Sequence, residues 1–287
     1  MYILQQLLTN LLFCRTFAVN YNTLNSMQLR HKNRLIYFLE QSECTRKYVI
    51  PYLEKILPIK PNLRILEIGC GEGGNLQPFL EIGCLCVGVD IDVAQLEKAK
   101  QYLFDYSHNE NLTFVARDIH EVSPDEIGTF DVIMLRDVIE HIPHQERFMH
   151  YLKGFMHSES IVFIGFPVWC NPFGGHQQIC CNKWLAHIPW LHLLPNVLYK
   201  KVLQWGKEMP NTIRGLLEIK TTGISLYRFE KILRAEQYHV LAHTHYLINP
   251  NYEIKFGLRP CIVPKWLRLP YLQDFYTTAM YYVLKKD

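Results

Sequence analysis

The chain has no run of lysines and arginines, no Cys-x-x-Cys pair, no internal repeat and no uninterrupted apolar stretch of bilayer-spanning length. Each absence removes a class of function. Thirty Lys and Arg are scattered among 27 Asp and Glu, a net charge of +3, so no basic stripe points to nucleic acid as a partner. The nine cysteines lack the spacing of a metal ribbon or a redox pair, and Cys84 and Cys86 sit inside an apolar run. An odd, uneven set of this kind fits a reduced, cytoplasmic setting better than a disulfide framework. The opening MYILQQLLTNLLFCRTFAVNYNTLNS is apolar, yet Gln and Thr interrupt it and no basic residue precedes it, which counts against a secretory signal. Met27 offers a second start, in which case residues 1–26 carry no structural role.

What is present is the balance of a compact domain: 49% hydrophobic and 20% charged residues over 287 positions. Residues 1–61 read as a helical extension, with apolar periodicity through Leu35, Leu39, Tyr48, Leu53 and Ile56. From Leu63 the pattern changes. RILEIG, CLCVGVD, LTFVARD, FDVIMLR and IVFIGFP read as buried strands, and helix-type spacing follows the first four. Strands alternating with helices imply a parallel sheet covered on both faces, hence a doubly wound α/β fold with ligands at the carboxyl ends of its strands. The expected division is a cofactor-binding core over 62–166, an insertion or lid rich in Trp, His, Leu and Pro over 167–223, and the remainder of the sheet over 224–287. In that last part SLYRFEKILRAEQY reads as a helix, while HVLAHTHYLI and FYTTAMYYVLKK complete a seven-stranded, mostly parallel sheet.

ILEIGCGEGGNL places Gly69, Gly71 and Gly74 directly after a strand and before a helix, a turn that admits a nucleotide. Glu67, just ahead of the glycines, would repel a pyrophosphate and so favours a cationic ligand. Asp90 ends the next strand, at the distance where a carboxylate accepts ribose hydroxyls, and Asp118 follows the third. Three acids at successive strand ends, with Ile91 and Ile119 as apolar neighbours, suit an adenosine carrying a positively charged amino-acid tail, which is S-adenosyl-L-methionine. Each acid also has a plainer role as a helix cap; Asp92 can cap the helix after Asp90, and Ser123 with Pro124 can start the one after Asp118.

LEIGCGEGG, GVDID, ARDI and FDVIMLRDVIEHI resemble the successive motifs of class I S-adenosylmethionine-dependent methyltransferases, with the likeness strongest over Asn62 to Phe166. That resemblance implies a Rossmann-like fold with Glu67, Gly69 and Gly71 at the methionine end, Cys70 at a variable position of the loop, Asp90 at the ribose, and Asp118 and Ile119 at the adenine.

In RDVIEHIPH, Asp137, Glu140 and His141 stand at i, i+3 and i+4, so one helical turn would put them on one face, with Pro143 opening the following helix. Such a cluster is a set of charges at a helix start or a set of metal ligands. An acid, two residues, then Glu-His resembles the ubiquinone-biosynthesis O-methyltransferases and the small-RNA 2'-O-methyltransferases. In the latter, a second, later His completes a divalent-metal site. The first acid there is Glu; here it is the shorter Asp137. The later His would be His176, in NPFGGHQQICC. Two histidines lean toward Mn²⁺, Fe²⁺ or Zn²⁺ over Mg²⁺. Without a metal, His176 serves as general base, or it is a hydrogen-bonded turn residue. A zinc set of Cys170, His176, Cys180 and Cys181 is disfavoured because adjacent cysteines chelate one ion poorly.

In the insertion, Leu194, Val197, Leu198, Val202 and Trp205 share a helical face with Lys200, Lys201 and Lys207 elsewhere, which reads as a lid helix on the core or as an interfacial helix reaching a lipid-linked substrate. The expected activity is transfer of a methyl group to a hydroxyl of a small molecule, a sugar or a lipid-linked glycan. A non-catalytic cofactor-binding protein and a nicotinamide-dependent oxidoreductase are the alternatives.

Overall fold

A computed structural model of the protein describes residues 34–107 and 110–287. The question of Met27 and most of the expected N-terminal extension lie outside the described residues. Eight strands form one sheet: β1 (Arg64–Ile68), β2 (Leu85–Asp90), β3 (Leu112–Ala116), β4 (Phe130–Arg136), β5 (Met156–Phe166), β6 (Tyr238–Ile248), β7 (Cys261–Ile262) and β8 (Ala279–Lys286). Their spatial order is β3-β2-β1-β4-β5-β8-β6-β7. The pairs from β3 through β5 are parallel, whereas β8 runs antiparallel to both β5 and β6. The mostly parallel doubly wound sheet matches the expectation. The eighth strand is the two-residue β7 at the edge, too short to carry a period.

Period-two alternation sorts the central strands onto two faces. Leu66, Ile133 and Leu135 enter one core layer with Phe148 and Phe229, while Ile65, Val132 and Met134 enter the other with Phe38 and Leu53. The second layer is covered by α1 (Arg34–Cys44), continued to Leu53 through a π turn at Thr45–Val49. That turn shifts the phase of the helix, so Phe38, Val49 and Leu53 are buried while Leu35 and Leu39, expected on the apolar stripe, are exposed. By the same alternation Glu67 and Arg136 face α1. This side of the sheet therefore receives two charged residues at its carboxyl edge.

The other helices of five residues or more are α2 (Gln77–Ile82), α3 (Val93–Tyr102), α4 (Gln145–Leu152), α5 (Lys183–His187), α6 (Asn196–Trp205), α7 (Pro210–Thr222), α8 (Leu226–Ala235) and α9 (Asn251–Phe256). Asp92 caps α3, accepting the N–H groups of Ala94 and Gln95, and Ser123 with Pro124 starts a single turn after β3. Between β5 and α8, helices α5 to α7 carry an apolar cluster of their own in which Tyr199, Leu203 and Leu216 are fully buried. Burying side chains of this size stabilises by about 2 kcal/mol each, enough to hold a small satellite unit. The expected face of α6 holds only in part: Leu194 and Val202 pack against the cluster with buried Tyr199 and Leu203, while Val197, Leu198 and Trp205 are exposed. Periodicity marked the apolar residues, but a buried tyrosine decided which face packs. Among the described residues, no helix is long and apolar enough to cross a membrane and the cysteines are free thiols.

Candidate active site

The glycine loop leaves β1 under tight steric control. Gly69 has φ 69°, and a Cβ there would lie 2.5 Å from Val138 Cγ2, so the loop after β1 rests directly on the loop after β4. Gly71 has φ 53°, in the left-handed region that favours glycine. The Gly71 N–H donates to Asp90 Oδ2 at 2.7 Å, and Asp92 N–H donates to Asp90 Oδ1 at 2.8 Å, which ties the first two strand ends together. Cys70 is different. Its side chain is buried in the core with its sulfur 2.7 Å from where a Gly88 Cβ would stand, so only its backbone borders the loop. Ile91 is exposed at the carboxyl edge, whereas Ile119 is buried in the core. Asp118 caps the short 3-10 turn Ile119–Glu121, accepting the backbone N–H of His120 and lying 2.9 Å from its Nδ1. Ser123 caps the next turn, as expected, so both residues cap, each its own turn.

Beneath the loop lies a buried polar network that spacing did not reveal. Asn75 donates to Glu67 Oε1 at 2.6 Å, and Asn75 Oδ1 accepts from Arg136 at 2.7 Å and from Thr45 at 2.8 Å. Arg136 also bonds Thr45, the Cys44 sulfur and Asn251 of α9. Above it Glu72, fully buried, pairs with Arg34 of α1. Two carboxylate oxygens here, Glu67 Oε2 and Glu72 Oε2, are buried without a hydrogen-bond partner among the described residues, and the Glu67 oxygen is the one in the network under the loop. Burial pushes the Glu67 carboxyl up to about 8, against the opposing pull of Asn75 and Arg136. A buried carboxylate with a spare oxygen fits a cationic ligand. The sequence signal for the rest was the arginine closing the apolar run FDVIMLR.

After β4 the expected helical face does not form. Asp137 is exposed at φ 56°, Ile139–His141 is a single 3-10 turn, and α4 begins at Gln145 rather than at Pro143, with His144 as its cap. Glu140, His141 and His176 come together, with one ligand atom from each lying within 4.8 Å of the others. Asp137 lies outside that set and acts on it by charge, raising the proton affinity of both Glu140 and His141. Glu140 is buried, and neither of its oxygens has a hydrogen-bond partner among the described residues. Burial, reinforced by Asp137, pushes its carboxyl well above the usual range. Burial and the neighbouring His141 and His192 push His176 down to about 4, and burial lowers His141. The two rings meet edge to face with centroids 5.1 Å apart.

His176 reaches this point through a turn that needs its glycines. A Cβ on Gly174 would collide with the Trp169 carbonyl, one on Gly175 with His192, and His176 itself is left-handed at φ 57°. Gln145 fixes the opposite side by donating to the carbonyls of Ile139 at 2.8 Å and Thr222 at 2.7 Å, which joins the 3-10 turn to α7. It is a positioning residue that no motif announced. The cysteines of NPFGGHQQICC take no part in any such cluster among the described residues.

A family model described as a methyltransferase domain matches residues 40–246, most of the chain. The chain belongs to this methyltransferase family. The reading made from the glycine loop and the strand-end acids, a class I S-adenosyl-L-methionine-dependent methyltransferase with that cofactor, therefore holds, and the oxidoreductase alternative is set aside. The ubiquinone biosynthesis O-methyltransferase of Rhodopseudomonas palustris (strain BisB5) is 30% identical over 110 residues, covering 38% of this chain and 42% of that protein. The protein of the same name from Bartonella quintana (strain Toulouse) is 31% identical over 105 residues, covering 36% and 40%. The matched part of the methyltransferase thus spans about two fifths of the length of these curated relatives. In fold it is similar to a putative sarcosine dimethylglycine methyltransferase from Galdieria sulphuraria, with TM-score 0.54, 13% identity and 85% of each chain covered. It is also similar to the plantazolicin methyltransferase BpumL, with TM-score 0.52, 14% identity, and 92% of this chain and 90% of that one covered.

Proposed function

We propose that the protein is an O-methyltransferase that moves the methyl group of S-adenosyl-L-methionine to a hydroxyl oxygen of a small-molecule acceptor, with a divalent metal ion held by Glu140, His141 and His176. The observation that carries the metal is Glu140: a buried carboxylate whose two oxygens have no hydrogen-bond partner among the described residues, beside two imidazoles, the His141 Nε2 lying 3.9 Å from Oε1. Burying an unpaired charge costs several kcal/mol or forces the group to take up a proton, unless a cation joins it. Two histidines held unprotonated, one of them exposed, complete a donor set that is open on the His141 side. The nitrogen content favours Mn²⁺, Fe²⁺ or Zn²⁺ over Mg²⁺. Asp137 supports the site by charge.

On the donor side, the spare oxygen of Glu67 faces the cationic amino-acid end, Gly69 and Gly71 let the backbone approach it, and Asp90 receives the ribose hydroxyls. Ile91 covers the adenine, and Asp118 meets its edge from the 3-10 turn that Ile119 anchors. The donor supplies an electrophilic methyl on a sulfonium. As the acceptor oxygen forms its bond to that carbon, the carbon–sulfur bond breaks and the hydroxyl proton must leave. Without an ion, His176 is unprotonated at neutral pH and can accept it, although an imidazole held near 4 is a weak base. With an ion its nitrogen would serve as a ligand, and the proton would pass to solvent on the open His141 side. When bound, a divalent ion supplies the positive charge that holds adjacent hydroxyls and eases loss of their proton. The reading favours an acceptor with neighbouring hydroxyls, and support for the O-methyl class comes from the relatives' names.

The test is transfer of labelled methyl to small molecules bearing vicinal hydroxyls, before and after chelation. Loss of transfer on chelation with recovery on adding Mn²⁺ or Zn²⁺ supports the reading. Transfer indifferent to a strong chelator removes the metal and leaves His176 as the base.

A further inference from the structure

From Ser160 to Lys207 the sequence has four lysines and no Asp or Glu. The first acid after it, Glu208, is buried and accepts the backbone N–H groups of Cys181 and Asn182, so it adds no carboxylate to the outer surface. The same corner exposes Trp184 and Trp205, 83% and 85% accessible, although each indole is among the largest apolar groups a chain can bury. They are brought together by the end-to-end join of α5 and α6. Asn182, the cap of α5, donates to the Gly206 carbonyl, and Leu185 fills the space a side chain at Gly206 would need. The outward face of α6 continues the surface with Val197 and Leu198, next to exposed Lys200 and Lys201.

A second segment repeats this composition. From Leu258 to Gln273 there are Arg259, Lys265 and Arg268 and no acid, and Trp266, Tyr271 and Leu272 are exposed. It leads into β8, whose Met280 pairs with Phe166 at the end of β5, so both segments lie on the carboxyl edge of the sheet. Exposed indoles among lysines, in segments of chain that put no carboxylate on the surface themselves, make a face that gains from both apolar insertion and negative headgroups.

We propose that the α5–α6 corner docks the protein on an anionic lipid bilayer, with Trp184 and Trp205 entering the interface and Lys200, Lys201 and Lys207 facing the headgroups. Charge selects this occupant. Residues 1–33 contain Arg15, Arg30 and Lys32 and no acid, and a second copy meeting this corner through its own would present the same basic patch, so neither supplies the opposite charge. The proposal concerns where the protein sits and does not depend on the acceptor assigned above.

Co-flotation of the full chain with phosphatidylcholine vesicles, with and without about a third phosphatidylglycerol, tests it. Binding to the anionic vesicles is expected at least about tenfold above binding to neutral ones, falling with added salt. Trp184→Ser with Trp205→Ser, and separately Lys200→Glu with Lys201→Glu, should each weaken it about tenfold or more while S-adenosylhomocysteine affinity and melting temperature stay put. Single-tryptophan versions should show water-like emission that shifts to the blue only with anionic vesicles. Equal recovery on both vesicle types, undiminished binding of the variants, or blue-shifted emission without lipid would each overturn the proposal. The last would mean that the N-terminal segment or a second copy already covers the corner.

Discussion

Two buried polar clusters stand on either side of the Gly69–Val138 contact, and they are finished to different degrees. Under the glycine loop, Asn75, Arg136, Thr45 and Asn251 satisfy one another, and among the described residues Glu67 and Glu72 each keep one oxygen bonded and one spare. Around the 3-10 turn, neither oxygen of Glu140 has a hydrogen-bond partner among the described residues, His141 Nε2 standing off at 3.9 Å from Oε1, and burial keeps the imidazoles beside it uncharged. The first cluster is preorganised and needs only a ligand's positive tail. The second lacks a whole counter-charge. A polar network closed on itself contributes rigidity, whereas an open one marks where something else must bind.

The sharpest break of this contrast is Glu140→Gln. Turnover should fall at least about a hundredfold, since a first ligand is lost, while S-adenosylhomocysteine affinity stays within about twofold. The metal-free protein should also melt higher, because a buried ionisable group without a partner is removed. Kinetics with calorimetry on one sample reads both. Reduced turnover accompanied by lower melting would instead make Glu140 a structural residue.

Glu67→Gln is the matching change on the closed side. Loss of a charge-assisted contact should weaken S-adenosylhomocysteine binding by roughly ten- to a hundredfold without altering metal uptake. The pH dependence follows from the sign of its shift. An acid whose folded pKa is raised to about 8 holds a proton below that value, and the cationic ligand prefers the ionised form. Affinity should therefore climb as pH rises from 6 to 8, by at most about tenfold per unit, and then level off. The Gln variant should be flat across this window.

Gly69→Ala strikes the contact between the two clusters. At φ 69°, and with Val138 Cγ2 only 2.5 Å away, the added methyl group should cost about 1–3 kcal/mol in a chemical-denaturation curve and weaken the cofactor. Gln145→Leu is the mildest. It removes the two bonds that hold Ile139 and Thr222, and should lower turnover a few-fold with the Michaelis constant for S-adenosylmethionine unchanged, at a cost of about 1–2 kcal/mol.

The parallel half of the fold was legible because its strands are short apolar runs with turn signals, and their ends place Glu67 and Asp90 without further information. Elsewhere local pattern was silent. β5 begins at Met156, five residues before its apolar run, since MHSES is a polar extension, and α6 packs through Tyr199 and Leu203 beside the expected Leu194 and Val202, leaving Trp205 outside. Glu140, His141 and His176 were readable as a set, although the turn that joins them is 3-10 and leaves Asp137 aside. Arg136 and Asn75 depend on residues up to 115 positions away, as in the Arg136–Asn251 bond, and no spacing rule reaches that far.

Metal titration of the chelated protein decides whether Glu140, His141 and His176 form a metal site. Uptake of about one Mn²⁺ or Zn²⁺ per chain is expected, abolished in Glu140→Gln and in His176→Ala while S-adenosylhomocysteine still binds. No saturable uptake, or uptake that both variants retain, would contradict it.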